Sequence, residues 1–391
     1  MVETVNYQCP ACGGPLRFAG DTAMLKCDYC DSQFSVEQVE ALYAGKQDKA
    51  EAKAEKEASK SGKQGDTVVA TGKAQAEKAK AQKMDPIQAY LQRASWEDAE
   101  SEHLCSSVCS SCGAELIHDQ TTAVTQCPYC GNNTVIPGTM AGTLKPDYVI
   151  PFKLGKEHAI EALKRYYKGK KFLPSAFAND NHIEEVQGVY VPFWLYSARS
   201  DAEARFSAQN VRSWREGKYE VTETDFFDVE RAGYMDYTRV PVDGSQKMPD
   251  SHMDAIEPFD YGELKPFSVA YLPGFLTDRF DMTVEDCKPR ALGRIGNSSE
   301  QALESTVQGY SLVESQGCNV DTEVTDVSYA LLPVWMLHTK WSGQDFLFAM
   351  NGQTGKFIGD LPIQKSKVVK WFLGISVPLA AIATTVVYFL M

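Results

Sequence analysis

The sequence contains no G-x-x-x-x-G-K-[ST] phosphate loop, no H-E-x-x-H zinc-protease helix and no G-x-S-x-G nucleophile turn. Nucleotide hydrolysis on a phosphate loop, zincin-type proteolysis and α/β-hydrolase chemistry are therefore excluded as readings of this chain. Its six histidines, His103, His118, His158, His182, His252 and His338, stand singly, and each reads as a surface or core residue rather than a ligand. No set of residues has the pattern of an active site, and the chain reads as a non-enzyme. Residues 46–83 lack any aromatic side chain, and residues 371–391 lack any charge. No secretory signal pattern opens the chain, so the expectation for its cysteines is a reducing, cytosolic setting.

What the chain does have is one cysteine frame written twice. Cys9-x2-Cys12-x14-Cys27-x2-Cys30 recurs as Cys109-x2-Cys112-x14-Cys127-x2-Cys130, with Gly13/Gly113, Leu16/Leu116 and Tyr29/Tyr129 in register. Two Cys-x-x-Cys turns let four thiolates converge on one ion at about 2.3 Å, so each frame reads as a zinc ribbon holding one structural zinc. A glycine after the second cysteine permits the left-handed turn such a knuckle needs. With all four positions cysteine, no place is left for a catalytic water. A ribbon of about 25 residues has too little apolar surface to fold alone, so the metal supplies most of its stability. Of the remaining cysteines, Cys105 is close enough in sequence to be a spare ligand but reads better as a free thiol, and Cys287 and Cys318 are scattered.

The net charge is −13, and both ribbons are acidic: residues 1–40 carry two basic against six acidic side chains, and residues 100–147 one against five. Nucleic-acid binding draws its affinity from Lys and Arg neutralising phosphates, so neither ribbon has that footprint. The one basic segment is the Ala/Lys/Glu-rich stretch 46–84, with ten lysines against six acids, which reads as a flexible linker. Its sharper alternative is a polybasic contact with anionic lipid or nucleic acid.

The expected fold class is α+β: a first ribbon over 1–45, the linker over 46–84, a helix plus second ribbon over 85–145, a mainly antiparallel α+β body over 146–363 and a membrane anchor over 364–391. Asp85-Pro86 is a helix start, Asp as N-cap and Pro at the first position. In the body, β-branched and aromatic runs predict strands at Tyr148–Leu154, Gly188–Ala198, Ala202–Gln209, Tyr219–Val229, Phe267–Phe275, Val324–Leu337 and Phe346–Met350. Helical spacing predicts helices over Lys156–Tyr167 and Ser299–Val313, and Asn351-Gly352-Gln-Thr-Gly355 predicts a hairpin turn. Prolines inside the strand patterns point to edges or bulges. The echo between Tyr190-Val-Pro-Phe-Trp194 and Tyr329-Ala-Leu-Leu-Pro-Val-Trp335 is consistent with a duplicated helix-strand-strand unit. The acidic string Glu220, Glu223, Asp225, Asp228 and Glu230 reads as the solvated face of a strand, and the Trp194/Tyr196 and Trp335/Trp341 pairs as core. The 21 uncharged residues Trp371–Met391 span about 31 Å as a helix, enough to cross a hydrocarbon core. Lys365, Lys367 and Lys370 precede them and place residues 1–370 on the cytoplasmic side of a single-pass membrane protein.

The blocks Tyr148–Lys153, Lys170–Pro174, Gly188–Tyr196, Leu331–Leu337 and Phe348–Lys356, behind two ribbons and ahead of a terminal apolar helix, resemble bacterial double zinc-ribbon membrane proteins. Members of that group are often labelled transcription-factor-like zinc-ribbon proteins or primosomal helicase relatives, and the helicase label has no nucleotide-binding loop here to support it. The resemblance implies protein partners at the bacterial cell membrane, of the flotillin/stomatin type or the phage-shock type. The expected function is a non-enzymatic, membrane-anchored adaptor or scaffold, with a membrane-tethered nucleic-acid-binding regulator as the alternative. No small-molecule substrate is evident.

Overall fold

The computed structural model describes residues 9–42, 85–93, 104–119, 126–132, 135–137, 144–179 and 186–390. The linker 46–84, His103 and His182 lie outside them. The first ribbon is a three-stranded antiparallel sheet, β1 (Leu16–Ala19), β2 (Met24–Cys27) and β3 (Gln33–Phe34), followed by helical turns over 36–42. The second supplies β4 (Leu104–Cys109), β5 (Glu115–Asp119) and β6 (Val135–Pro137). The body adds β7 (Tyr148–Val149), β8 (Gln187–Glu216), β9 (Tyr219–Asp243), β10 (Lys265–Pro266), β11 (Leu276–Asp278), β12 (Leu312–Trp341), β13 (Gln344–Asn351) and β14 (Phe357–Gly359). The main sheet runs β10-β7-β12-β8-β11-β5-β4-β6, with β9 on β8, β13 on β12 and β14 on β13. Mixed α and β structure with mostly antiparallel pairing is the class the sequence predicts.

β8 and β12 are the spine. They pair antiparallel from Leu312 opposite Gln209 to Met336 opposite Gln187. Over Val189–Tyr196 both faces are covered: Tyr190, Trp194 and Tyr196 enter one apolar cluster, while Val189, Val191, Phe193 and Leu195 enter another with Met253, Ile256 and Phe259. A continuous apolar run is what a strand buried on both sides requires. Farther out the pattern changes to alternation. Ala202, Ala204, Phe206 and Ala208 pack under Leu303 and Val307 at the end of the long helix Val284–Ser305, and their exposed neighbours face solvent. β9 and the outer part of β12 complete this three-stranded arm, where Arg205–Glu230 (3.0 Å) and Arg212–Asp225 (2.7 Å) join neighbouring strands at the surface. The acidic string therefore lies on a solvated strand.

Several expectations are corrected. The runs 188–198 and 202–209 are one strand, because the alternation continues through the polar residues between them. Phe267–Phe275 is not a strand: Ser268 caps a short 3-10 turn at Val269–Tyr271 by accepting from the Ala270 N–H, and pairing resumes at Leu276. The helix predicted over Ser299–Val313 begins at Val284 and ends at Ser305, with Leu312 already in β12. Its start is a capping box between Thr283 and Asp286. Pro192 and Pro333 lie in interior strands rather than on edges. Each sits where the neighbouring strand changes: β9 reaches Phe193 and β11 starts at Tyr190, while β7 reaches Leu331 and β13 starts at Val334. A residue without an N–H costs no ladder bond at such a handover. Their carbonyls accept from Gly244 and Gly352, both at 2.8 Å.

The N-terminal Asp85-Pro86 start is present, Asp85 Oδ1 accepting from the Ile87 N–H at 3.1 Å. The helix Pro86–Arg93 sets the Tyr90 ring edge-on to Trp194, 5.8 Å away. At the other end, Lys365–Leu390 is one helix, long and apolar enough over Lys365–Val386 to cross a membrane and not buried in the body.

Candidate metal centres and ribbon docking

The four knuckles share one backbone geometry. In each, the first cysteine's N–H donates to the carbonyl five residues on, and its carbonyl accepts from the N–H four residues on: Cys9 with Gly14 and Gly13, Cys27 with Ser32 and Asp31, Cys109 with Ala114 and Gly113, Cys127 with Asn132 and Gly131. The fourth residue is left-handed in all four, at φ 76°, 56°, 70° and 67° for Gly13, Asp31, Gly113 and Gly131. Three are glycine; the fourth, Asp31, pairs with Lys26 at 2.9 Å.

Cys9, Cys12, Cys27 and Cys30 form one group of converging sulfurs, and Cys109, Cys112, Cys127 and Cys130 form another. The Sγ separations are 3.5 Å for Cys9–Cys30, 3.4 Å for Cys12–Cys27, 3.6 Å for Cys109–Cys130 and 3.7 Å for Cys112–Cys127. A tetrahedral ion with sulfur at about 2.3 Å sets its ligands about 3.8 Å apart, so both groups fit a four-thiolate metal. Cys105 belongs to neither group.

The electrostatics fit the same conclusion. The Ser32 hydroxyl and N–H hold the Cys30 thiol down at about 6. Against burial, the N–H groups of Cys112 and Ser111 bring Cys109 to about 7. Their neighbours move the other way: the Gly14 amide favours the Cys12 thiolate, but the Cys30 and Cys27 sulfurs outweigh it and push Cys12 up to about 12, while burial raises Cys127. Four thiolates cannot share so small a space without a central cation, and a bound divalent ion supplies it.

The two ribbons meet the body differently. In the second, β5 pairs with β11 through Ile117–Thr277 and Leu116–Asp278, so the ribbon is part of the main sheet. Tyr129 inside its second knuckle is buried, 8% exposed, beside Asp278 and Ser245. Asp278 is 1% exposed, its Oδ2 has no hydrogen-bond partner among the described residues, and burial pushes its carboxyl up to about 7. Sequence reading missed this acid, whose signal is an Asp closing the short apolar strand Leu276–Asp278.

A flexible linker would leave the first ribbon free to move, yet the ribbon does not stand apart from the body. Its Phe18 N–H donates to the Pro273 carbonyl at 3.1 Å, and the Phe18 ring meets Tyr271 edge-on at 5.4 Å. Gly20 lies so close to Phe152 that a Cβ there would sit 2.4 Å from its carbonyl oxygen, well inside van der Waals contact, and Gly274, at φ 90°, leaves room for Arg17. Ribbon and body border a cleft of about 730 Å³ lined by Arg17, Asp28, Lys156, His158, Gln187 and Trp335 among others. Tyr29, equivalent to Tyr129 in the repeat, is 77% exposed.

Fold and sites define a protein of two four-cysteine ribbons fused to an α+β body that ends in an apolar helix. The chain belongs to the family of Uncharacterized protein YdjG of Bacillus subtilis (strain 168), to which it is 37% identical over 242 residues, 62% of this chain and 71% of that protein. No family model matches the chain. No solved structure matches it either.

Proposed function

We propose that this protein is a non-enzymatic adaptor at the cytoplasmic face of the bacterial cell membrane, with a structural zinc in each ribbon, that recruits protein partners there. The observation that supports it most directly is the contrast between the ribbons. Both four-cysteine groups are closed, leaving no ligand position for chemistry. Yet one ribbon is consumed in the sheet while the other holds an exposed aromatic, Tyr29, on its outer knuckle. Exposed aromatics on a rigid support are what protein interfaces use as anchors. The helix Lys365–Leu390 crosses the bilayer with its uncharged part, the lysines in its first turns keep residues 1–370 in the cytoplasm, and the captured partner is a membrane-associated protein of the flotillin/stomatin or phage-shock type.

The test is crosslinking and affinity recovery of the full chain from membranes. The adaptor reading expects a membrane-associated protein to be recovered, and recovery to fall at least tenfold with Tyr29→Ala while metal content stays at two per chain. Recovery of no membrane protein, or undiminished recovery by the Tyr29→Ala variant, overturns capture through the first ribbon.

A further inference from the structure

In a chain of net charge −13, two segments distant in sequence carry only positive charge. Residues 162–179 hold Lys164, Arg165, Lys168, Lys170 and Lys171, and residues 361–391 hold Lys365, Lys367 and Lys370, with no acid in either. The fold brings them together. The Gln364 N–H donates to the Phe172 carbonyl at 2.9 Å, the Lys367 ammonium donates to the Leu173 carbonyl at 2.6 Å and to Ser175 at 3.0 Å, and the Phe172 ring stands edge-on to Trp371 at 5.7 Å. Lys171 lies over the same indole, 5.6 Å from its centre.

This docking fixes a depth. Trp371 opens the uncharged part of the C-terminal helix, and tryptophan in that place marks the headgroup level of a bilayer. A loop packed on Trp371 is at the same level, so Lys168, Lys170 and Lys171 are carried there by the body and not by the anchor. All three are exposed, as are Lys365 and Lys370, and none has an acidic partner among the described residues. The placement is also unfavourable as it stands: three lysines occupy the first turns of a helix whose first turn has no acid, where the helix dipole favours negative charge. An anionic group set among them would relieve both the mutual repulsion and the dipole.

We propose that this collar binds the headgroups of anionic glycerophospholipids and so clamps the body to the bilayer surface. The proposal rests on the C-terminal helix spanning the membrane. Each lysine near an anionic surface is worth on the order of a fivefold gain, so three supply roughly a hundredfold, lost progressively as salt rises.

Two measurements on the full chain separate the proposal from that reading. Extraction of membranes with alkaline carbonate tests the span alone: release of the protein overturns the span, and the collar with it. For retained protein, the lipid held after exchange into mixed micelles of phosphatidylglycerol and phosphatidylcholine is measured by mass spectrometry. The collar predicts enrichment of phosphatidylglycerol at least tenfold, lost in Lys168→Gln/Lys170→Gln/Lys171→Gln, kept when the three are arginine, kept against millimolar inorganic phosphate and weakened by 0.5 M salt. Equal retention of both lipids, unchanged enrichment in the glutamine variant, or displacement by inorganic phosphate overturns it, the last by marking a general anion site.

Discussion

Replacing Asp278 by asparagine removes the ionisation of the most deeply placed acid beside the second ribbon, and the structure sets both sign and size of the effect. Asp278 is 1% exposed, and burial lifts its carboxyl from near 3.8 to about 7. Between about pH 4 and pH 7 the unfolded chain has released a proton that the folded chain still holds. The folded state then binds more protons, so this residue's contribution to stability falls as pH rises across that window and is flat above it. A tenfold change in a proton equilibrium is about 1.4 kcal/mol, which gives a total of about 4 kcal/mol. Other groups move with pH as well: Asp243 and Glu257 are raised by burial in the presence of Arg290 and Arg294, and the cysteine sites gain metal as pH rises. The comparison of Asp278→Asn with the parent cancels them. Any cost of burying an amide is the same at every pH, so the variant should gain about 3 kcal/mol of that total on the parent between pH 4.5 and pH 8, the rest falling below pH 4.5. Urea unfolding of the full chain in detergent, followed by tryptophan emission at several pH values, reads this, since Trp194 and Trp335 are buried in the body. A variant-minus-parent difference that is constant with pH, or that grows towards acid, refutes the placement of a neutral buried Asp278.

Three further outcomes follow from the packing. Phe18→Ala removes a ring that is buried against Tyr271 and should cost about 3–5 kcal/mol of ribbon docking; hydrogen exchange should then rise in β1 and β2 while β8 stays protected. Cys109→Ser should lower the unfolding midpoint of the body as well as halving bound metal, because β4 and β5 are strands of the main sheet, whereas Cys9→Ser should halve the metal and leave the body's midpoint in place; equal effects would refute the difference in attachment. Gly188→Ala puts a Cβ 2.5 Å from Cδ1 of Phe275 in the stacked Phe152–Phe275 pair and should destabilise by about 1–3 kcal/mol in the same urea assay.

What the sequence showed and what it hid divide along physical lines. The cysteine frames, the Asp85 cap, the helix Lys156–Tyr167, the hairpin at Asn351–Gly355 and the apolar terminal helix are local signals, set by ligand spacing, caps, periodicity and length. Asn351 illustrates how far such a signal goes. Its Oδ1 accepts from Gln353 and Thr354, which the turn pattern implies, but its Nδ2 also donates to the Ile256 carbonyl 95 residues away, which no pattern implies. The long helix was hidden at its start by Pro289, Gly293 and Gly296, which break the apolar period that the cap at Thr283 overrides. β8 read as two strands because its outer half has only one buried face. The docking of the first ribbon was illegible because close approach at Gly20 and Gly274 is a property of two surfaces, and a glycine in sequence does not say what it makes room for.

The repeat supplies its own control on where capture occurs. Tyr29 and Tyr129 occupy the same place in the same knuckle, so any role in shaping the knuckle is shared, and differences between them come from what surrounds the ribbon. Tyr129 is enclosed by the body, and truncating it to alanine should cost about 3–5 kcal/mol of stability, as for other buried aromatics. Tyr29 is open to solvent, and the same truncation should leave the unfolding free energy within about 0.5 kcal/mol of the parent, as for surface substitutions generally. If a partner is captured on the first ribbon, recovery falls with Tyr29→Ala at unchanged stability. With Tyr129→Ala, recovery falls only in proportion to the chain that unfolds. Because Phe18 and Pro273 hold the first ribbon to the body, and Phe172 and Trp371 hold the body to the apolar helix, the exposed knuckle is carried at a fixed position relative to that helix. A partner bound there is then oriented as well as tethered, and Phe18→Ala should weaken recovery even though Tyr29 is intact. Full recovery by the Phe18→Ala variant would show that tethering alone suffices and that the docked position of the ribbon has no part in capture.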